Sequence, residues 1–341
     1  MNLTKLTEAE KQEMMRQKNE VPRELSRAEK IELARQIRSS KVVPFEPTET
    51  YKEYLELAVC EEKYVPTREG DTHIYLITPK KTKTCYPLYI NMHGGGFVRG
   101  YSERETVFAS KVASTVGCRV IDIDYKLAPE HPYPAGLHEC YDIVKWAISH
   151  AKELAIDPEN VVIGGHSAGG NFTAAICLWA NQTKDFTVKM QILDYAYLDA
   201  YTDPGAKITE TRFFPVDRAR AFNQLYLANN EDKTHPLISP IFASVEMLTG
   251  LPPALFITAG LDFLCEEEEK YAAMLVNAGV EVKIKRFLHS HHGFTENCQE
   301  EYMESQKLIL DTLKQAFFMG LGNRHSSPFA KAENRNGLIS G

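Results

Sequence analysis

The chain reads as an α/β protein built on a mostly parallel sheet with helices on both faces. Three observations predict this. Short apolar runs recur from about residue 72: HIYLIT (73–78), YPLYINM (86–92), CRVIDIDY (118–125), NVVIGG (160–165), VKMQILDY (188–195), PALFITAG (253–260) and EVKIKRFL (281–288). Amphipathic stretches of helical period lie between many of them, at 103–116, 136–151, 168–181 and 266–279. The runs are continuous rather than alternating, as in strands covered on both faces.

Taken in order, residues 1–45 are rich in Glu, Lys and Arg and carry helical spacing. Ser26 followed by Glu29 is a capping box, after which Ile31, Ala34 and Ile37 recur on one face. Residues 198–250 break the strand–helix alternation. A connection this long is an inserted element or a lid, and it holds one plausible helix, 216–228, with the aromatics Tyr201, Phe213, Phe214, Phe222 and Tyr226. The resulting division is N-terminal cap helices (1–50), a first core segment (51–197), a cap insert (198–250), a second core segment (251–320) and a C-terminal tail without periodicity (321–341).

Bulk properties narrow the function. The 341 residues are 43% hydrophobic and 25% charged, ordinary values for a soluble globular protein. A net charge of -7 argues against a nucleic-acid partner, which needs a basic face. No run of 18 apolar residues exists, so no transmembrane segment is expected. The opening MNLTKLTEAEKQEMMRQKNE lacks the apolar core and small-residue cleavage site of a secretory signal. Seven scattered cysteines without a CxxC pair read as free thiols in a reducing compartment, so the expected location is cytoplasmic.

The chemistry concentrates in four places. Gly165-His166-Ser167-Ala168-Gly169 follows an apolar run and opens a helix-like one. A turn this tight needs small residues two before and two after the serine, and it lifts the hydroxyl above the sheet at the positive end of the next helix. His93-Gly94-Gly95-Gly96 closes another apolar run; its bare amides can face a developing oxyanion, a role assigned to Gly95 and Gly96 together with Ala168. The base belongs after the last core strand, where RFLHSHHGF supplies His292, with His291 as fallback. Three histidines in four residues also raise a metal site, but no partners of recognisable ligand spacing accompany them, so no metal is expected. The acid belongs at a strand end between the two; Asp262 fits, ahead of Glu266 and Asp194. His93 is read as structural.

With these residues in place, the chain resembles the hormone-sensitive-lipase-like carboxylesterases, the α/β-hydrolase branch carrying HGGG and a GDSAGG elbow. The likeness spans about residues 70–317 and includes DYKLAPEHPYPAGLHECYDIVKWA (124–147), LPPALFITAGLDFLCEEEEKYAAML (251–275) and HHGF. It implies an eight-stranded, mostly parallel sheet and a helical cap built from the N-terminus and the 198–250 insert. It also implies cofactor-free hydrolysis of short- to medium-chain acyl esters, with Ser167 as nucleophile, His292 as base and Asp262 as acid. Two departures stand out: His166 replaces the aspartate that braces the oxyanion loop in the family, and Asp262-Phe263-Leu264-Cys265 replaces Asp-Pro-Leu-Arg. Phe97, Tyr197, Phe213 and Phe214 are candidate pocket walls, and the expected partner is a small-molecule ester. The sequence leaves three alternatives open: an amidase or deacetylase, a ligand-binding protein on a retired hydrolase scaffold, and a homodimeric state.

Overall fold

A computed structural model of the chain describes residues 7–18, 23–40, 49–227 and 231–318. Its centre is one eight-stranded sheet: β1 (Ala58–Thr67), β2 (Gly70–Pro79), β3 (Tyr86–Met92), β4 (Arg119–Asp124), β5 (Ile156–His166), β6 (Met190–Asp194), β7 (Ala254–Ala259) and β8 (Val282–Phe287), in the order β1-β2-β4-β3-β5-β6-β7-β8. β2 pairs antiparallel with both β1 and β4, and every later pairing is parallel.

The apolar runs divide by the two-residue period of a pleated strand. Leu88, Ile90, Met92, Ile121, Ile123, Ile163, Leu193 and Phe256 turn to one face. There they meet α5 (Ala135–Ser149), α6 (Ala168–Thr183) and α10 (Cys265–Asn277) through Leu137, Phe172, Ile176, Tyr271 and Leu275. Tyr89, Val120, Val162, Ile192, Leu255 and Ile257 turn to the other, against Phe108 and Val112 of α4 (Glu103–Val112) and Ile309, Leu313 and Phe317 of α11 (Tyr302–Phe318). Both faces are therefore sealed. β1 was not legible as a strand: most of its side chains are exposed, and it is held by pairing with β2 rather than by burial.

Among the described residues, three helices precede the sheet: α1 (Glu8–Gln17), α2 (Arg27–Ser39) and α3 (Glu49–Leu57). The capping box opens α2 as expected, with Glu29 accepting from the Ser26 amide at 2.9 Å. Ala34 and Ile37 are buried, whereas Ile31, expected on the same face, is 44% exposed. The end of α2 docks beside the loop after β3: Arg38 donates to the carbonyls of Val98 and Ala128 at 2.9 Å and forks onto Glu130. The 198–250 stretch supplies α7 (Pro204–Lys207), α8 (Val216–Tyr226) and α9 (Val245–Leu248). Buried Arg220 of α8 ties the insert to α1, holding Asp203 together with the carbonyls of Gln17 and Lys18. The tail 321–341 lies outside the described residues. Among the described residues, no helix is long and apolar enough to cross a membrane.

Ile90 is fully buried at the sheet centre, so Ile90→Ala should lower unfolding free energy by about 2–5 kcal/mol in urea titration. Ile284 on edge strand β8 is 44% exposed, and Ile284→Ala should cost under about 1 kcal/mol in the same measurement.

Candidate active site

β5 runs directly into α6 through Ser167, whose φ of 52° and ψ of -112° leave the helical and extended regions altogether. Backbone of this kind costs about 1–3 kcal/mol and persists only where its surroundings enforce it. Two glycines do so here. A Cβ on Gly169 would stand 1.9 Å from the Met92 carbonyl oxygen, and one on Gly165 would stand 2.4 Å from the Gly169 carbonyl carbon. The strand end, the helix start and the end of β3 thus meet at backbone-contact distance. The Ser167 amide donates to the Asp194 carbonyl at 2.9 Å, and the Ser167 carbonyl accepts from Asn171 and Tyr197, both at 3.1 Å.

The turn presents Ser167 Oγ to His292, 2.9 Å from Nε2. His292 Nδ1 lies 2.7 Å from Oδ2 of the fully buried Asp262. An ionised carboxylate only accepts hydrogen bonds, so Nδ1 carries the ring proton and Nε2 is left to accept the serine hydroxyl. The competing residues are engaged elsewhere. His291 Nδ1 is 2.6 Å from Glu300, Glu266 pairs with Arg212 at the surface, and Asp194 faces His166 at 2.8 Å.

The glycine loop lies against this pair. A Cβ on Gly94 would be 3.5 Å from the Ser167 Cβ, and the space over Gly96 is filled by the Phe222 ring, 2.5 Å from where its Cβ would be. Gly95 and Gly96 have φ of 117° and 62°. Neither amide donates to a protein acceptor among the described residues, while the Gly95 carbonyl accepts from Val98 and Arg99 at 3.2 and 2.9 Å. Ala168 is the first residue of α6, at the helix end that favours negative charge. His93 holds the loop rather than the serine: its Nδ1 is 2.7 Å from the Gly94 carbonyl, its own carbonyl accepts from Tyr125 at 2.8 Å, and the two rings stack at 4.1 Å.

His166 turns away from the glycine loop, onto Asp194, whose other oxygen accepts from Thr295 at 3.2 Å. Burial opposes the His166 charge, but the Asp194 hydrogen bond and charge outweigh it and push the imidazolium up to about 9. On the cavity side, the buried Glu105 carboxyl shares a hydrogen bond with Glu296, and burial followed by the Glu296 charge raises it well above the carboxylate range.

A cavity of about 540 Å³ opens over Ser167 and His292. Phe97, Tyr197 and Phe214 line it, with Phe222 and Phe263. Phe213 does not, which corrects the expectation. Neighbours in extended chain point to opposite sides, so Phe214 stacks on Phe263 at 4.8 Å while Phe213 is buried the other way, beneath Lys11. The sequence reading also missed polar lining residues: Glu105, Glu296, Arg99, Arg104 and Arg218. The one available signal was the i, i+4 spacing of Arg218 and Phe222, which puts both on one face of α8.

A family model described as alpha/beta hydrolase fold matches residues 89–296. An arylesterase of Saccharolobus solfataricus is 31% identical over 223 residues, covering 65% of this chain and 72% of that protein. Carboxylesterase NlhH of Mycobacterium tuberculosis is 30% identical over 228 residues, covering 66% of this chain and 71% of that protein. Among solved structures, a hyperthermophilic esterase from the archaeon Pyrobaculum calidifontis superposes with a TM-score of 0.73 at 27% identity, over 91% of this chain and 98% of that one. The chain belongs to the α/β-hydrolase fold family, within its hormone-sensitive-lipase-like carboxylesterase branch.

Proposed function

We infer that the chain is a serine carboxylesterase that hydrolyses short- to medium-chain acyl esters through an acyl-enzyme. The observation that carries the reading is the continuous relay from Asp262 through His292 to a hydroxyl standing at a strained turn beneath an open cavity. In this reading neutral His292 takes the Ser167 proton as Oγ attacks the ester carbonyl. The carbonyl oxygen gains charge and is met by the amides of Gly95, Gly96 and Ala168. Collapse of the tetrahedral intermediate expels the alcohol, protonated by His292, and water repeats the cycle on the acyl-serine. Asp262 holds the ring in the tautomer that frees Nε2 and stabilises the imidazolium. The aromatic walls and the cavity of about 540 Å³ suit a short acyl chain better than a long one. A cytoplasmic location belongs to the same reading, supported by the buried thiols of Cys118, Cys140, Cys177 and Cys265.

His166 acts one step back, as a positioning residue for the strand end that carries Ser167. Its raised pKa gives stability that is fully present below the unfolded histidine value of about 6.5 and lost as pH rises through about 9.

Two outcomes follow. With p-nitrophenyl acetate and butyrate as substrates, Ser167→Ala and Asp262→Asn should each lower kcat by about 10⁴-fold, the latter by stranding His292 in the wrong tautomer. An Asp262→Asn enzyme keeping a tenth of its activity would contradict the relay. Melting temperature should fall between pH 6.5 and 9 in the native chain, and that slope should flatten in the His166→Asn/Asp194→Asn double variant, followed by calorimetry.

A further inference from the structure

The esterase reading leaves unexplained why three arginines line a cavity meant for neutral esters. Arg99 follows the glycine loop, Arg104 sits in the first turn of α4, and Arg218 sits in the first turn of α8. The two helical positions are unfavourable ones, because a cation in the first turn opposes the helix dipole. The three charges are close enough to act on one another: burial, then Arg218 and Arg104, hold the Arg99 guanidinium down at about 10. Arg99 still carries its charge at neutral pH.

Arg99 and Arg218 are held without a counterion among the described residues. Arg99 spends Nη2 on the Ile37 and Ser40 carbonyls and the Ser40 hydroxyl, and its buried Nε has no partner. Arg218 lies over the Phe222 ring, 5.7 Å from its centre. Among the described residues, neither Arg99 nor Arg218 is paired with a carboxylate. Arg104 is bonded to the Asn297 side chain, which also holds the Gly293 carbonyl beside His292. Three acidic residues share the cavity. Glu103 is exposed, burial and the neighbouring Glu296 charge raise the Glu105 carboxyl, and Glu296 faces Gly94 across the serine turn. The Arg218 wall is also next to the chemistry, since Phe222 beneath it covers Gly96.

We propose that the arginines Arg99, Arg104 and Arg218 make this cavity selective for esters that carry a carboxylate a few bonds from the scissile carbonyl. The proposal rests on the esterase reading and names its substrate class. A guanidinium that is half-buried and unpaired has lost water without gaining a counterion, and a substrate carboxylate restores both the charge balance and the hydrogen bonds. Neutral esters of the same size leave that deficit in place.

The test compares isosteric pairs. Monomethyl glutarate against methyl glutaramate places the charge on the acyl side, and 4-acetoxybenzoate against 4-acetoxybenzamide places it on the leaving-group side. In at least one pair the anionic ester should show a kcat/KM at least about tenfold higher, an advantage that shrinks as salt rises. The pair that responds identifies the side. In Arg218→Met the anionic-to-neutral ratio should fall to within about twofold of one, and Arg218→Lys should recover part of it. Equal rates in both pairs, or a preference that survives in both Arg218→Met and Arg104→Met, would overturn the proposal while esterase activity stands. If the native chain cleaves no ester of either kind, the underlying reading fails first and the proposal with it.

Discussion

The close approach of three backbone segments at Ser167 is the constraint on which the rest of the site depends. β5 cannot turn into α6 within one residue unless Gly165 and Gly169 have no side chains, because the end of β3 occupies the space where those side chains would be. The packing holds Ser167 at a positive φ and lifts its hydroxyl off the sheet. It also fixes the glycine loop, which is the direct continuation of β3, at van der Waals distance from the serine. The Ser167 hydroxyl and the glycine loop are therefore placed by one sheet register, with β3 and β5 paired up to Met92 and Gly165. Only the histidine arrives from a separate loop, and it reaches Oγ because Asp262 holds it from the end of β7.

Around that point the protein buries several ionisable groups and gives most of them internal partners. His166 pairs with Asp194 directly behind the serine turn. Glu267 and Glu268 of α10 reach under the loop after β6 and accept from the amides of Leu198 and Ala196 at 2.6 and 2.7 Å. Burial pushes Glu267 up to about 7 against the opposing pull of Lys207, and raises Glu268 well above the carboxylate range. These groups satisfy backbone that would otherwise be orphaned where strands end and no helix or sheet supplies partners. The cost of a stranded polar group makes such loops rigid when complete, and rigidity at the strand ends keeps the reacting groups in register. The arginines of the cavity differ in kind, because their charge is left open on the solvent side.

Much of this was legible in the sequence because it rests on short-range rules. The seven apolar runs became strands, the inner ones because their side chains fill both faces of the sheet, and the flanking glycines of Gly165–Gly169 are demanded by local sterics. β1 escaped notice because an edge strand with polar, exposed residues has no apolar run to read. His292 and Asp262 could be picked from their order along the chain and their place after strands, yet their rivals His291 and Asp194 could be dismissed only once Glu300 and His166 were seen beside them. The pocket walls were the weakest part. Phe213 and Phe214 are indistinguishable by composition, and only the direction of the extended chain decides which one faces the cavity. Arg99, Arg104 and Arg218 lie far apart in sequence or on helix termini, and converge only through the docking of α8 over the glycine loop.

The account stands on the Ser167 hydroxyl being the activated nucleophile of the folded chain. Reaction with a fluorophosphonate followed by intact-mass and peptide analysis tests this most directly. One phosphonyl group on Ser167, with labelling slowed severely in His292→Ala, is the predicted result. A folded chain that resists the reagent, or carries the label at another residue while Ser167 stays free, would contradict it.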